Sequence, residues 1–243
     1  MQDKRKEVKT MYSTNTIRNY VSRVNAVIDA MASQDAKDVK ICISAGNVKI
    51  GRVLNVSLPA IIACKNCSEC KGICYEIKAG RYSNVIEARG RNMYLVQNDR
   101  DSYFAQIENR ISRRRKNKYF RWHVAGDILD LDYFSRMVEI ARRHPDFIFW
   151  TYTKMYGIVN MYCRKYGRDA IPANFSIMFS EWDGMPMNNP FGFPVFSCKL
   201  AAGNKNHPVE YFDSLYKCPG NCDICKATHR GCIAGENTYA DEH

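Results

Sequence analysis

Residues 119–154 read YFRWHVAGDILDLDYFSRMVEIARRHPDFIFWTYTK, and they decide the fold. The run at 119–124 is aromatic and of strand length. Residues 131–143 carry apolar side chains at helical spacing, and 147–153 is a second strand-like run. Strand, helix and strand joined by short links predict a βαβ unit, and so a parallel sheet. Working outward, 155–166 reads as a helix, 174–179 as a strand and 191–197 as a further apolar run. Upstream, 80–115 predicts two helices broken near 98–101. Residues 39–44 and 48–54 are short β-rich runs around a Gly46-Asn47 turn. Ile17, Tyr20, Val21, Val24, Val27, Ile28 and Met31 put an amphipathic helix at 16–33. The expected fold is α/β, a partial (β/α) barrel or open parallel sheet, since the chain is too short for a full eight-unit barrel with extensions. A helical N-terminal extension (1–38), a core (39–200) and a cysteine-rich tail (201–243) are expected within one domain.

Apolar residues make up 46% and charged residues 25% of the 243, as in ordinary globular proteins. Nothing approaches eighteen consecutive apolar residues, so no membrane span is expected. The charged N-terminus lacks the apolar segment of a secretory signal, which predicts a cytoplasmic protein with reduced thiols. The net charge is +11. Arg113, Arg114, Arg115, Lys116 and Lys118 form one basic run, suited to a nucleotide or nucleic acid or simply to a solvated helix end.

Eight of the eleven cysteines form two groups. Cys64, Cys67, Cys70 and Cys74 are spaced C-x2-C-x2-C-x3-C, on a loop after the apolar stretch 58–63. Cys218, Cys222, Cys225 and Cys232 are spaced C-x3-C-x2-C-x6-C. Four thiolates so close in sequence can meet on one metal centre without long loop closure. The first spacing is that of bacterial ferredoxin loops, although Tyr75 stands where a proline usually follows, and it lacks the long spacer of zinc knuckles. The second group leaves iron and zinc open. Its first three cysteines have the triad spacing of radical S-adenosylmethionine (SAM) enzymes, and His229 or His243 can substitute in a zinc site. Cys42, Cys163 and Cys198 read as small buried residues.

In parallel sheets ligands gather at the C-terminal ends of strands. Those ends carry His123 to Asp127 with Gly126, then Thr151 to Lys154, then Ser180, Glu181, Trp182 and Asp183. Together they suit a polar, charged small molecule; singly, Gly-Asp and Asp-Gly are also common turn pairs.

Four segments in order, NVKIG (47–51), Cys74-Tyr75, RWHxxGD (121–127) and FWTYTK (149–154), with the cysteine-rich tail, resemble the phage gene product 88 family over nearly the whole chain. That family looks like a divergent relative of radical SAM enzymes, and a Cys-Tyr pair closing the loop also occurs in the spore photoproduct lyase-like branch. The resemblance implies that Cys64, Cys70 and Cys74 hold a SAM-binding [4Fe–4S] cluster, with Cys67 as an extra thiol. It places Gly126-Asp127 where radical SAM enzymes carry Gly-Gly-Glu. Lys154, Ser180 and Glu181 would face the SAM carboxylate or ribose, with Tyr75 and His123 beside them, and 218–232 would be an auxiliary-cluster loop. The first group departs from C-x3-C-x2-C, and Gly-Asp from Gly-Gly-Glu. Three functions follow as expectations: a radical SAM-like enzyme served by an electron donor, a zinc-stabilised nucleic-acid-binding protein, and a two-cluster redox protein.

Overall fold

A computed structural model describes residues 11–66 and 70–241; Cys67 and His243 lie outside the described residues. Eight strands form one sheet: β1 (Ile43–Ser44), β2 (Leu54–Val56), β3 (Tyr119–Trp122), β4 (Ile148–Thr153), β5 (Phe175–Ser180), β6 (Val195–Lys199), β7 (Tyr216–Lys217) and β8 (Thr238–Asp241). Their order is β1-β2-β3-β4-β5-β6-β8-β7. β1 is antiparallel to β2 and every other pairing is parallel. Among the described residues the sheet is open, with β1 and β7 as its edges, and no barrel closes.

The helices are α1 (Thr14–Met31), α2 (Tyr75–Ala79), α3 (Ser83–Asn98), α4 (Arg100–Ser112), α5 (Leu131–Arg143), α6 (Tyr156–Tyr166) and α7 (Cys222–Thr228). α5 shows why the sequence folds locally as it does. Asp130 Oδ1 accepts from Tyr133 N at 2.9 Å, which caps the helix. Tyr133, Phe134, Met137, Val138, Ile140 and Ala141 then line one buried face.

The two faces of the sheet alternate along each strand. Phe120, Trp122, Phe149, Phe175, Ile177 and Phe179 pack with residues of α3 to α6. Cross-strand aromatic pairs tie that face together: Phe120 and Phe149 have ring centres 6.0 Å apart, Phe149 and Phe175 6.3 Å. Each such pair contributes about 0.5–1.5 kcal/mol beyond burial. On the other face, Trp150 and Met178 pack against Val53, Cys225, Cys232 and Ile233. The cysteine tail therefore covers the sheet face that the helices leave open, and adds β7 and β8 to the sheet. Burial on both faces explains why β4, Ile148 to Thr153, reads as a nearly unbroken apolar and aromatic run.

Three expectations need correcting. Of residues 48–54 only Leu54 is in a strand, as the first residue of β2. Gly46 has φ +122° and a Cβ there would lie 1.8 Å from Gly51 O. Asn47 Oδ1 accepts from Lys49 N and Ile50 N, an Asx turn that takes these two backbone donors. Only Ile43 and Ser44 of 39–44 pair as strand. The strand expected at 119–124 ends at Trp122, because His123 takes φ +54°.

Candidate functional site

The C-terminal ends of β3, β4 and β5 meet at one edge, and Asp127 braces them. Its carboxylate is 7% exposed. Oδ1 accepts from Ile128 N at 2.7 Å and Thr153 Oγ1 at 2.6 Å, and Oδ2 from Lys154 N at 2.9 Å. Burial pushes its carboxyl above the usual range, against these three hydrogen bonds and the Lys154 charge. Gly126, at φ +85°, lets the loop press against Leu58: a Cβ would stand 2.7 Å from Leu58 Cβ and 2.9 Å from Leu58 O. Leu58 N donates to Ala125 O at 3.0 Å, so the Gly-Asp loop is zipped to the chain entering the first cysteine loop.

That loop is anchored at the same edge. Asn66 Nδ2 donates to Lys154 O at 2.9 Å. Cys64, Cys70 and Cys74 lie within electrostatic reach of one another, and Asp127 within reach of Cys64. Burial, reinforced by Asp127, pushes the Cys64 thiol up to about 12. Cys74 stands at the N-cap of α2, with Tyr75 55% exposed beside it. The Tyr156 hydroxyl, donating to Ser180 O at 2.5 Å, has Asp127, Glu181 and Cys70 around it. Lys154 Nζ lies 3.2 Å from Ser180 Oγ and 5.8 Å from the Trp182 ring centre, and no carboxylate pairs with it among the described residues.

Two expected site residues are engaged elsewhere. His123 is 3% exposed and points into the helix-side core, where its Nε2 lies 2.9 Å from the Tyr133 hydroxyl. Burial holds its imidazole down to about 3, so it is neutral. Glu181 Oε2 accepts from Ser197 Oγ at 2.6 Å and Oε1 lies 2.7 Å from His207 Nε2. His207, stacked on Tyr211 at 3.7 Å, comes from the loop between β6 and β7 and was not among the expected site residues. Asn66 lies inside the first cysteine run but is not one of its thiols, and Tyr156 and His207 stand in segments without a motif; only the position of Tyr156 just after β4 signalled it.

The second cysteine group forms its own cluster on the sheet's other face. Cys218 lies within electrostatic reach of Cys222, Cys225 and Cys232. Burial pushes the Cys232 thiol up to about 12, beside Tyr152 and Thr238. The 47–51 segment holds this group in place. Cys222 N donates to Lys49 O at 3.0 Å, and a Cβ on Gly51 would strike the Asp223 carboxylate. Arg121 lies on the same face, its guanidinium 4.7 Å from the Tyr152 ring centre. Cys222, Cys232 and Tyr75 also surround it. Its Nε is buried without a hydrogen-bond partner.

Among the described residues, no three His, Cys, Asp or Glu side chains are placed to hold a metal ion, and the described cysteines form no disulfide. Thiols are gathered in two sets, and burial raises those of Cys64, Cys222 and Cys232, which favours their protonated form. The basic run does not join this site. Residues 113–118 precede β3, at the end opposite Asp127, and Lys118 pairs with Asp146 there. Among the described residues, no helix is long and apolar enough to cross a membrane.

The model of one protein family, Gene product 88, matches residues 30–188. The match takes in the first cysteine group, the Gly-Asp loop and Lys154, Ser180 and Glu181; the second cysteine group lies beyond it. No curated protein and no solved structure matches the chain, so the radical SAM side of the resemblance gains nothing from these comparisons.

Proposed function

The chain belongs to the gene product 88 family, and we propose that it is a radical SAM-like iron–sulfur enzyme with a second metal centre in its tail. One observation carries the reading. A three-thiol loop that follows the first parallel strand reaches the same sheet edge as Asp127, Lys154, Ser180 and Glu181. Cys64, Cys70 and Cys74 would hold a [4Fe–4S] cluster with one open iron. Such a cluster, with a redox partner as its electron source, would supply reductive SAM cleavage and, through it, hydrogen abstraction from substrate.

The chain's own residues divide the remaining work. Lys154, unpaired and steadied by Ser180 and Trp182, is the cation for a carboxylate ligand. Asp127 fixes the edge rather than meeting the ligand, because its oxygens already accept three hydrogen bonds. Burial around Cys64 and Tyr156 keeps water from the reacting edge. The Arg113 to Lys118 run lies at the far end of β3, so nucleic-acid contact there would be separate from this chemistry.

The test is anaerobic purification with iron, sulfide and zinc counted in the wild type and in Cys64→Ser. Iron and sulfide in the wild type, with one cluster's worth missing from Cys64→Ser, supports the reading. Zinc without sulfide overturns it in favour of a zinc-stabilised protein.

A further inference from the structure

The basic run takes no part in the thiol chemistry, and the fold gathers it into a surface of its own. α4 ends at Ser112 and β3 begins at Tyr119, so Arg113, Arg114, Arg115, Lys116 and Lys118 line the turn that leads into the sheet. Arg52 joins them from distant sequence. β2 and β3 run parallel with Leu54 opposite Phe120, so Arg52 and Lys118 enter neighbouring strands from the same end. Arg52, Arg113, Arg115 and Lys116 are exposed. The carboxylates around them are engaged: Asp146 by Lys118, Glu108 by Arg143 and Asp223 by Lys226. Among the described residues no carboxylate pairs with Arg52, Arg113, Arg114, Arg115 or Lys116. The helix end does not account for them. Its last turn already carries Arg110, and the carbonyls of Asn109 and Ile111 receive Arg113 N and Arg114 N. Charge at a helix terminus acts within the last turn, and Arg115, Lys116 and Lys118 lie beyond it.

We propose that this end of the sheet is a docking surface for a nucleic-acid duplex, gripped by its phosphate backbone without regard to sequence. The surface lies opposite the thiol-loop edge and does not rest on the iron–sulfur reading. Three consecutive arginines and a lysine offer forked donors and fixed positive charge to phosphate oxygens, and the net charge of +11 draws a polyanion in. A lipid surface fits less well. From Ser112 to Lys118 the chain has no apolar side chain to enter a bilayer, whereas membrane-binding segments back their cations with an apolar face. The same stretch has no aromatic ring on which an unpaired base could stack, which favours a duplex over a single strand.

The experiment measures binding of the full chain to a labelled mixed-sequence DNA duplex, to one of its strands alone and to phosphatidylserine vesicles, over a range of salt. One variant combines Arg113→Gln, Arg114→Gln, Arg115→Gln and Lys116→Gln. A charge-matched control combines Lys65→Gln, Lys71→Gln, Lys78→Gln and Lys205→Gln, exposed lysines of other segments. For the wild type, log affinity for the duplex should fall linearly with log salt, by a slope of about 0.9 per phosphate contact. The run variant should lose about three units of that slope and at least about tenfold in affinity at low salt. The control should stay near the wild type. Arg115→Gln alone should lower the slope by about one, a reading that survives if the fourfold variant fails to fold. Equal losses in the run variant and the control overturn the proposal, because net charge alone would then govern binding. So does duplex binding that is absent or indifferent to salt, tighter binding to the single strand, or binding to the vesicles in place of DNA.

Discussion

Asp127 and Lys154 are locked together across two strand ends: the carboxylate Oδ2 accepts the Lys154 backbone N–H at 2.9 Å, while Oδ1 takes the neighbouring Thr153 hydroxyl at 2.6 Å. Lys154 in turn receives Asn66 of the cysteine loop at its carbonyl. One buried carboxylate thus sets the spacing of β3, β4 and the first thiol group.

Asp127→Asn replaces one acceptor oxygen by a donor that must face Ile128 N, Thr153 Oγ1 or Lys154 N. Hydrogen bonds to charged groups contribute roughly 1.5–3 kcal/mol, so a loss of about 2 kcal/mol is expected in urea unfolding. Faster alkylation of Cys64 should accompany it, as the loop loosens. Unchanged stability together with unchanged alkylation would remove Asp127 as the brace.

Gly126→Ala is the matching steric test. The residue stands at φ +85° with Leu58 Cβ and O within 3 Å of the added methyl. Backbone strain in this region costs about 1–3 kcal/mol, before the clash is relieved. Circular-dichroism melts should show a lowered midpoint; a wild-type midpoint would mean that the Gly-Asp loop does not press on Leu58.

His123 gives the pH dependence. Burial lowers its imidazole from 6.5 to about 3. Between those values the unfolded chain binds the proton and the folded one does not, so stability falls as pH drops through that window and recovers above 6.5. The slope from this group is about 1.4 kcal/mol per pH unit. Asparagine tolerates the left-handed backbone at this position. His123→Asn should therefore flatten the stability profile on the acid side in urea titrations at several pH values. Parallel profiles for both proteins would show that His123 titrates normally in the folded state.

The central βαβ unit was legible because its signals are local. The helix at 131–143 carries its own cap and apolar face, and both flanking strands are rich in aromatic residues. The turn at 47–51 was not, since Val48 and Ile50 suggest a strand; yet Val48 is 93% exposed and the Asn47 side chain has taken the backbone donors. The tail's contribution to the sheet was hidden for another reason. β7 has two residues and β8 four; β8 pairs with β6, some forty residues upstream, and β7 only with β8. At the site, strand-end logic found Asp127 and Lys154. It also named His123, whose left-handed backbone and core-facing ring leave no trace in sequence.

The most direct measurement is electron paramagnetic resonance of the anaerobically reduced protein with and without SAM. A SAM-binding cluster on Cys64, Cys70 and Cys74 gives a [4Fe–4S]⁺ signal that changes on adding SAM and that loses this response in Cys64→Ser. A cluster signal indifferent to SAM, or no cluster signal at all, would contradict it.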